Sequence, residues 1–157
     1  MACPAKCRLS ATWNADLASA ASAIAAAFFK DFKGYLHCDA YSGYAPLFTE
    51  GIITHVACWA HARRKFIDII KTSKHPCGIA VSLTNLIKKL YAIEKKCKEE
   101  ALTSEHIYVQ RQTEARPILL RIKAYLDEHS VKAPPQSTIA KAMNYMMNQW
   151  DGLMAYI

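Results

Sequence analysis

The feature that most constrains the fold is a pair of short strand-like runs followed only by helical patterns. Tyr35–Cys38 is a short apolar run that ends at Asp39. Ile52–Cys58 follows Gly51 and is rich in β-branched residues, which favours a strand. Because two strands cannot form an independently stable sheet, we expect either further strands in the N-terminal segment or an incomplete sheet.

From Trp59 onwards, apolar residues recur at helical spacing, which predicts a series of amphipathic helices. The longest pattern runs through Leu83, Leu86, Ile87, Leu90 and Cys97. A second helical stretch covers roughly residues 105–128, in which Pro117 either kinks the helix or begins a new one. Ser137 can cap a last helix, whose apolar positions recur over Ile139–Leu153. The chain is therefore expected to be an α/β protein dominated by helices.

An Ala-rich segment precedes the first strand. Ala is the strongest helix former, so the segment from Asp16 to Lys30 predicts a helix, with Gly34 expected to end it. Its least polar part, Leu17–Phe29, is too short to span a bilayer, which needs about 20 residues. We expect a cytoplasmic protein without membrane association, in which the six cysteines are reduced.

The charge of the chain favours an anionic partner. Twenty Lys and Arg against 13 Asp and Glu leave a net charge of +7 over 157 residues. Nucleic acid is the commonest partner of such a chain, and an inert basic surface is the alternative. Hydrophobic residues make up 52% and charged residues 21%, which excludes a mainly disordered chain.

Asp39 is the first candidate functional residue, because it ends a predicted strand and precedes the predicted loop 40–46. Ligands of open α/β sheets bind outside the carboxyl ends of the strands, and a carboxylate there can hold Mg²⁺. From position alone, an Asp that begins a turn is the simpler interpretation.

Cys58 and His61 have the C-x-x-H spacing of half a zinc site. The candidates for a second half are His37, Cys38, His75 and Cys77. None of them forms a pair at zinc-finger spacing. The alternative is a buried Cys58, a packed Trp59 and a hydrogen-bonded His61 at a junction between strand and helix.

Arg63, Arg64 and Lys65 place three consecutive cations in the first turns of a predicted helix. Cations there oppose the helix dipole, and phosphate would compensate them, since helix N-termini and Arg both bind phosphate. The alternative is a solvated basic turn paired with local carboxylates such as Asp68.

Three segments together resemble the transposases of the bacterial insertion-sequence-66 family. They are Gly34–Tyr44, Cys58–Phe66, and a set spread over the helices: Leu90–Glu94, Arg116 with Pro117, Tyr145, Asn148–Trp150 and Leu153. The resemblance covers roughly Phe28–Ile157, and Cys58–Arg64 is its most specific part. Residues 1–27 do not resemble the family.

This resemblance implies a ribonuclease-H-like catalytic core in residues 28–77 and a helical insertion in residues 78–157, after an unrelated tail, 1–27. Such a core carries a D-D-E triad that holds two Mg²⁺ or Mn²⁺ ions against a phosphodiester. Asp39 matches the second acidic residue, as a catalytic group and metal ligand. Cys58 and His61 resemble a structural C-x-x-H signature near such active sites.

Five residues are expected to contact DNA. They are Trp59, His61, Arg63, Arg64 and Lys65. Trp59 would either stack on an unpaired base or pack in the core.

The departures from the family limit the expected activity. Asp16 and Asp31 precede Asp39, but neither lies in a predicted strand or in the family's motif. The triad's Glu is expected after the last helix, in a segment that the chain lacks, and Ala40 stands where the family usually has Gly. We therefore expect an internal fragment of a transposase that binds no metal ion tightly and does not cut DNA alone.

Two other interpretations remain open at this stage. The first is a basic helical module without catalysis that binds DNA or the full-length transposase, or self-associates. The second is a small interaction protein stabilised by zinc.

Overall fold

The computed structural model of the protein describes residues 15–49, 51–75 and 78–157. The chain divides into two compact units, with the boundary between His55 and Val56. The two units are described separately below.

The first unit contains helix α1 (Ala15–Phe28), strand β1 (Gly34–Cys38), a 3₁₀ helix (Ser42–Phe48) and most of strand β2 (Ile53–Ala57). The Ala-rich helix is thus confirmed, but it ends at Phe28. Gly34 begins β1 instead of ending the helix, and its φ of +128° is a conformation that glycine adopts readily.

The two predicted strands form a two-stranded parallel sheet in the order β1-β2. Gly34 N donates a hydrogen bond to Ile52 O at 3.2 Å. The expected loop after β1 is mostly the 3₁₀ helix, which contains Pro46. Its Gly43 carbonyl accepts a 2.9 Å hydrogen bond from Ser22 Oγ of α1. Within the described ranges this sheet has no third strand, so the expectation of an incomplete sheet holds for those residues.

The second unit is helical. Its elements are α2 (Trp59–Thr72), α3 (Gly78–Glu99), α4 (Ser104–Gln110), a π-helical turn (Arg111–Ala115), α5 (Arg116–Ser130), α6 (Thr138–Asn148) and α7 (Trp150–Met154). The predicted helix-dominated α/β class is therefore confirmed. The predicted cap of the last helix is also confirmed, because the Ser137 side chain accepts a hydrogen bond from Ala140 N.

Two helical predictions are resolved by backbone geometry. Pro117 lies at the start of α5, directly after the π-helical turn. Proline cannot donate a backbone hydrogen bond, and a π-helical turn accommodates the interrupted ladder. The single last helix expected over Ile139–Leu153 is wrong, because Gln149 at φ −101°, ψ 9° separates α6 from α7.

The hydrophobic core of the second unit lies between α2, α3, α5 and α6. Its fully buried large side chains are Phe66, Leu83, Ile87, Leu119, Ile122, Leu126, Met143, Met146 and Leu153. These residues follow the helical periodicity of the sequence. Among the described helices, none is both long enough and apolar enough to cross a membrane.

Candidate functional site

Asp39 lies at the carboxyl end of β1, in the first unit, and its side chain is exposed. Its Oδ1 accepts a hydrogen bond from the backbone N–H of Tyr41 at 3.2 Å. This bond to a backbone group two residues ahead is an Asx turn. Asp39 therefore begins a turn at the end of a strand, which confirms the simpler interpretation, and its role as a metal ligand stays a prediction.

His55 on β2 lies close enough to Asp39 for the two to interact electrostatically, and no sequence pattern pointed to it. Its ring stacks on Phe48, with centroids 4.8 Å apart and an interplanar angle of 28°. The ring also hydrogen-bonds to the backbone of Cys38, the residue before Asp39. Burial lowers the pKa of His55, a shift that the bond to Cys38 opposes. This contact depends on the pairing of β1 with β2, so the sequence alone could not predict it.

The donor set around Asp39 does not by itself fit a pair of magnesium ions. Mg²⁺ prefers hard oxygen ligands, whereas the groups that act electrostatically on the His55 ring are His37 in β1 and Asp39 directly after it. Across the described ranges, no three His, Cys, Asp or Glu residues form a group that could hold a metal ion. A two-metal clamp on this strand end needs further carboxylates. Asp16 lies in α1 and Asp31 in the turn after it, so neither stands on a strand.

Trp59 opens α2 in the second unit, and it is 9% exposed. Its indole Nε1 donates a hydrogen bond to Leu153 O at 3.1 Å. Its ring meets Trp150 edge to face at 6.4 Å. The buried and hydrogen-bonded indole favours the core-packing alternative over stacking on a base.

Cys58 and His61 are joined through the backbone of the first turn of α2. Cys58 is buried, and its carbonyl accepts hydrogen bonds from His61 N at 3.1 Å and Ala62 N at 3.2 Å. The His61 ring is half-buried, and its Nδ1 has no hydrogen-bond partner among the described residues. The packing alternative expected the His61 side chain to be hydrogen-bonded. The structure shows no such bond at Nδ1 among the residues it describes.

The three cations of α2 are not paired with carboxylates in the part of the chain that the structure describes. The Arg63 guanidinium lies 5.8 Å from the centre of the Tyr91 ring, and Lys65 Nζ lies 4.2 Å from the Tyr145 ring. Arg64 is exposed. Asp68 forms no ion pair with a described residue, so the expected local compensation is not observed.

Lys65 also lines a groove of about 280 Å³ between α2 and α6. Lys141 and Thr138 of α6 face it from the other side. Neither residue could be identified from the sequence, because apolar periodicity predicts the buried face of a helix and not which other helix packs against it. The only available signal was that Lys141 is the sole charged residue of α6.

Comparison with known families gives one match over most of the chain. The model described as "Transposase IS66 family" matches residues 14–157. This range begins before Phe28 and includes the whole Ala-rich segment, so the expectation that residues 1–27 do not resemble the family is wrong for residues 14–27.

Two curated proteins of Sinorhizobium fredii (strain NBRC 101917 / NGR234) are similar to the chain, and both are described as uncharacterized. The protein y4jD is 30% identical over 132 residues, and y4hP is 24% identical over 140 residues. Each alignment covers 80% of this chain and 25% of the relative. The chain thus spans about a quarter of the length of these relatives. No solved structure matches it.

Proposed function

The chain belongs to the IS66 family of transposases, and from this premise we propose that it contributes Asp39 to a D-D-E active site for DNA transposition. The observation that carries this proposal is the position of Asp39 directly after β1 in a parallel pair of strands. Carboxylates that hold catalytic metals are placed well at such strand ends. The sheet would then be part of a ribonuclease-H-like core, and the reaction would take place on DNA in the cytoplasm.

In the complete site, Mg²⁺ or Mn²⁺ supplies the polarisation of the phosphodiester and the activation of the attacking oxygen. Asp39 would be one of the oxygen ligands. The Tyr41 N–H orients the Asp39 carboxylate through Oδ1, and the His55 ring supports the strand end at Cys38. One carboxylate is not enough for two metal ions, so we propose that the 157-residue chain does not cut DNA alone.

A cleavage assay tests this proposal. The purified chain is incubated with supercoiled plasmid and Mg²⁺ or Mn²⁺, and we expect no nicking above a metal-free control. Nicking by the wild-type chain that Asp39→Asn abolishes would contradict the proposed inactivity.

A second assay tests the role of Asp39 directly. The segments that precede and follow this region in an IS66 transposase are supplied in trans, together with either form of the chain. The wild-type chain should restore metal-dependent cleavage, and the Asp39→Asn chain should not. Equal restoration by both forms would remove Asp39 from the site.

The uncompensated cations of α2 favour a second function, which is DNA binding without catalysis. Arg63, Arg64 and Lys65 have no carboxylate partner among the described residues, and phosphate oxygens are suitable partners for both side-chain types. Fluorescence anisotropy with a labelled duplex should show binding that weakens steeply with salt, because phosphate contacts release counterions. The function would be contradicted if the chain did not bind DNA, or if its affinity did not depend on the salt concentration.

A further inference from the structure

The groove between α2 and α6 brings two lysines from distant parts of the sequence to one surface. Lys65 and Thr72 contribute from α2, and Thr138 and Lys141 from α6. Ile69 and Ala142 are the apolar part of the lining. The second unit thus has an open, mainly apolar groove, and α2 and α6 each contribute one ammonium group to it.

Like Lys88, Lys89 and Lys98 of α3, the lysines of this groove form no ion pair with a described residue, and in this they differ from four other lysines of the unit. Lys95 lies 3.5 Å from Glu99 and Lys96 lies 3.7 Å from Glu114. Lys123 pairs with Asp127, and Lys132 lies 2.8 Å from Glu128. The structure shows no such ion pair for Lys65 or Lys141 among the residues it describes.

Two ammonium groups that form no ion pair lie on one groove and repel each other, and a bound anion reduces that repulsion. Asp68 also lines the groove, and its single negative charge leaves the lining with a net charge of +1. Arg64 and Lys71, both exposed on α2, add two further positive charges on the same helix. Positive charge on α2 thus extends beyond the residues that line the groove, which suits an extended polyanion better than a small ion.

The position of Lys65 is stabilised from α6. Its Nζ lies 4.2 Å from the centre of the Tyr145 ring, a cation–π distance. This contact keeps the ammonium group at the junction of the two helices without neutralising its charge. The Thr138 hydroxyl, also in the groove lining, can donate a hydrogen bond to a phosphate oxygen.

We propose that the groove between α2 and α6 binds the phosphate backbone of duplex DNA through Lys65 and Lys141. This inference rests on the DNA binding proposed above and assigns it to a specific surface. It adds Lys141, which lies far from the basic run of α2 in the sequence. The contacts are to phosphates, so the groove fixes the position of the duplex and reads no base sequence.

The test compares two double variants with the same change in net charge. Lys65→Gln with Lys141→Gln removes the groove lysines, and Lys123→Gln with Lys132→Gln removes two lysines that are paired with carboxylates. Each chain is titrated with a labelled duplex by anisotropy over a range of salt concentrations. Circular dichroism checks that each variant keeps the wild-type helix content.

The groove variant should bind DNA about tenfold or more weakly at low salt, and its slope of log affinity against log salt should fall by roughly two. The control variant should keep the wild-type slope. Equal weakening of the two variants would show a bulk charge effect and overturn the groove assignment while leaving DNA binding intact. If the wild-type chain binds no DNA, the proposed DNA binding is wrong and this inference falls with it.

A conservative pair strengthens the assignment. Lys65→Arg with Lys141→Arg keeps both positive charges, and Arg also binds phosphate and stacks on aromatic rings. This variant should retain the wild-type salt slope. A slope reduced as far as in the Gln pair would mean that packing of the lysine stems, and not their charge, matters, and would overturn the inference.

Discussion

Arg111 binds Glu94 through two hydrogen bonds, each 2.9 Å long, from Nε to Oε1 and from a terminal nitrogen to Oε2. The pair joins α3 to the first residue of the π-helical turn, and its side chains are only 23% and 18% exposed. Tyr156 donates to the same Oε1, and its ring lies 4.7 Å from the guanidinium. Bidentate charged pairs of this kind are among the strongest polar contacts in proteins.

The Glu94–Arg111 pair should contribute more to stability than the exposed ion pairs. Arg111→Met should lower the free energy of unfolding by roughly 2–3 kcal/mol, because it leaves a half-buried carboxylate without a cation. Lys95→Met is the control, since its pair with Glu99 is 75% and 64% exposed and should be worth less than about 1 kcal/mol. Urea unfolding measures both. Equal losses would mean that the Glu94 pair is solvated like a surface pair.

The same pair should make stability depend on pH. Burial raises the pKa of Glu94, but hydrogen bonds from Arg111 and Tyr156 outweigh that effect and lower it below 4.5. The unfolded chain therefore binds more protons in this range, so this stability is complete above pH 4.5 and is lost as pH falls through the folded pKa. Glu94→Gln removes the titrating group.

Urea unfolding at a series of acidic pH values checks this sign. The stability difference between wild type and Glu94→Gln should shrink as pH falls below 4.5. The Tyr156 hydroxyl stays protonated throughout, since burial and the bond to Glu94 raise its pKa. A difference that is constant with pH would contradict the shift assigned to Glu94.

The local features of the fold could be predicted from the sequence, because their causes lie within a few residues. Ser137 caps α6 through Ala140 N, three residues away. The change from strand to helix at Trp59 follows a change in apolar periodicity. The break at Gln149 could not be predicted, because the apolar spacing continues across it into α7.

The candidate functional residues of each unit were predicted only in part, because the missing contacts depend on packing between distant segments. Asp39 and the cations of α2 were visible as residue types at particular positions. The burial of Trp59 depends on Leu153, which is 94 residues away, and the groove depends on Lys141 of α6. The support of Cys38 by His55 depends on strand pairing. None of these contacts leaves a periodic signal in the sequence.

His55 should make the first unit sensitive to pH near neutrality. Its pKa lies below 6.5, chiefly because burial penalises the charged ring. The unfolded state therefore binds more protons, so the contribution of a neutral His55 is complete above pH 6.5 and is lost as pH falls towards the folded pKa. Hydrogen exchange of the β1 amides should become faster from pH 7 to pH 5, after correction for the intrinsic rate.

His55→Phe is the matched variant, because it keeps an aromatic ring next to Phe48 but cannot be protonated. Its β1 amides should show no corrected change over the same pH range. If wild type and His55→Phe respond alike, another group causes the effect.

Trp59 provides the sharpest distinction between packing and DNA contact, because the two roles predict opposite patterns. Trp59→Phe keeps an aromatic ring but leaves the buried Leu153 carbonyl without its 3.1 Å donor. We expect a loss of about 1–3 kcal/mol in stability and no change in DNA affinity. If Trp59 stacked on a base, the substitution would instead weaken DNA binding by about 1–3 kcal/mol.

Trp150→Phe serves as the control, because it perturbs the same edge-to-face pair but leaves the Trp59 hydrogen bond in place. If Trp59→Phe were stable but bound DNA more weakly, the indole would contact DNA. The start of α2 at Trp59 would then have to open when DNA binds.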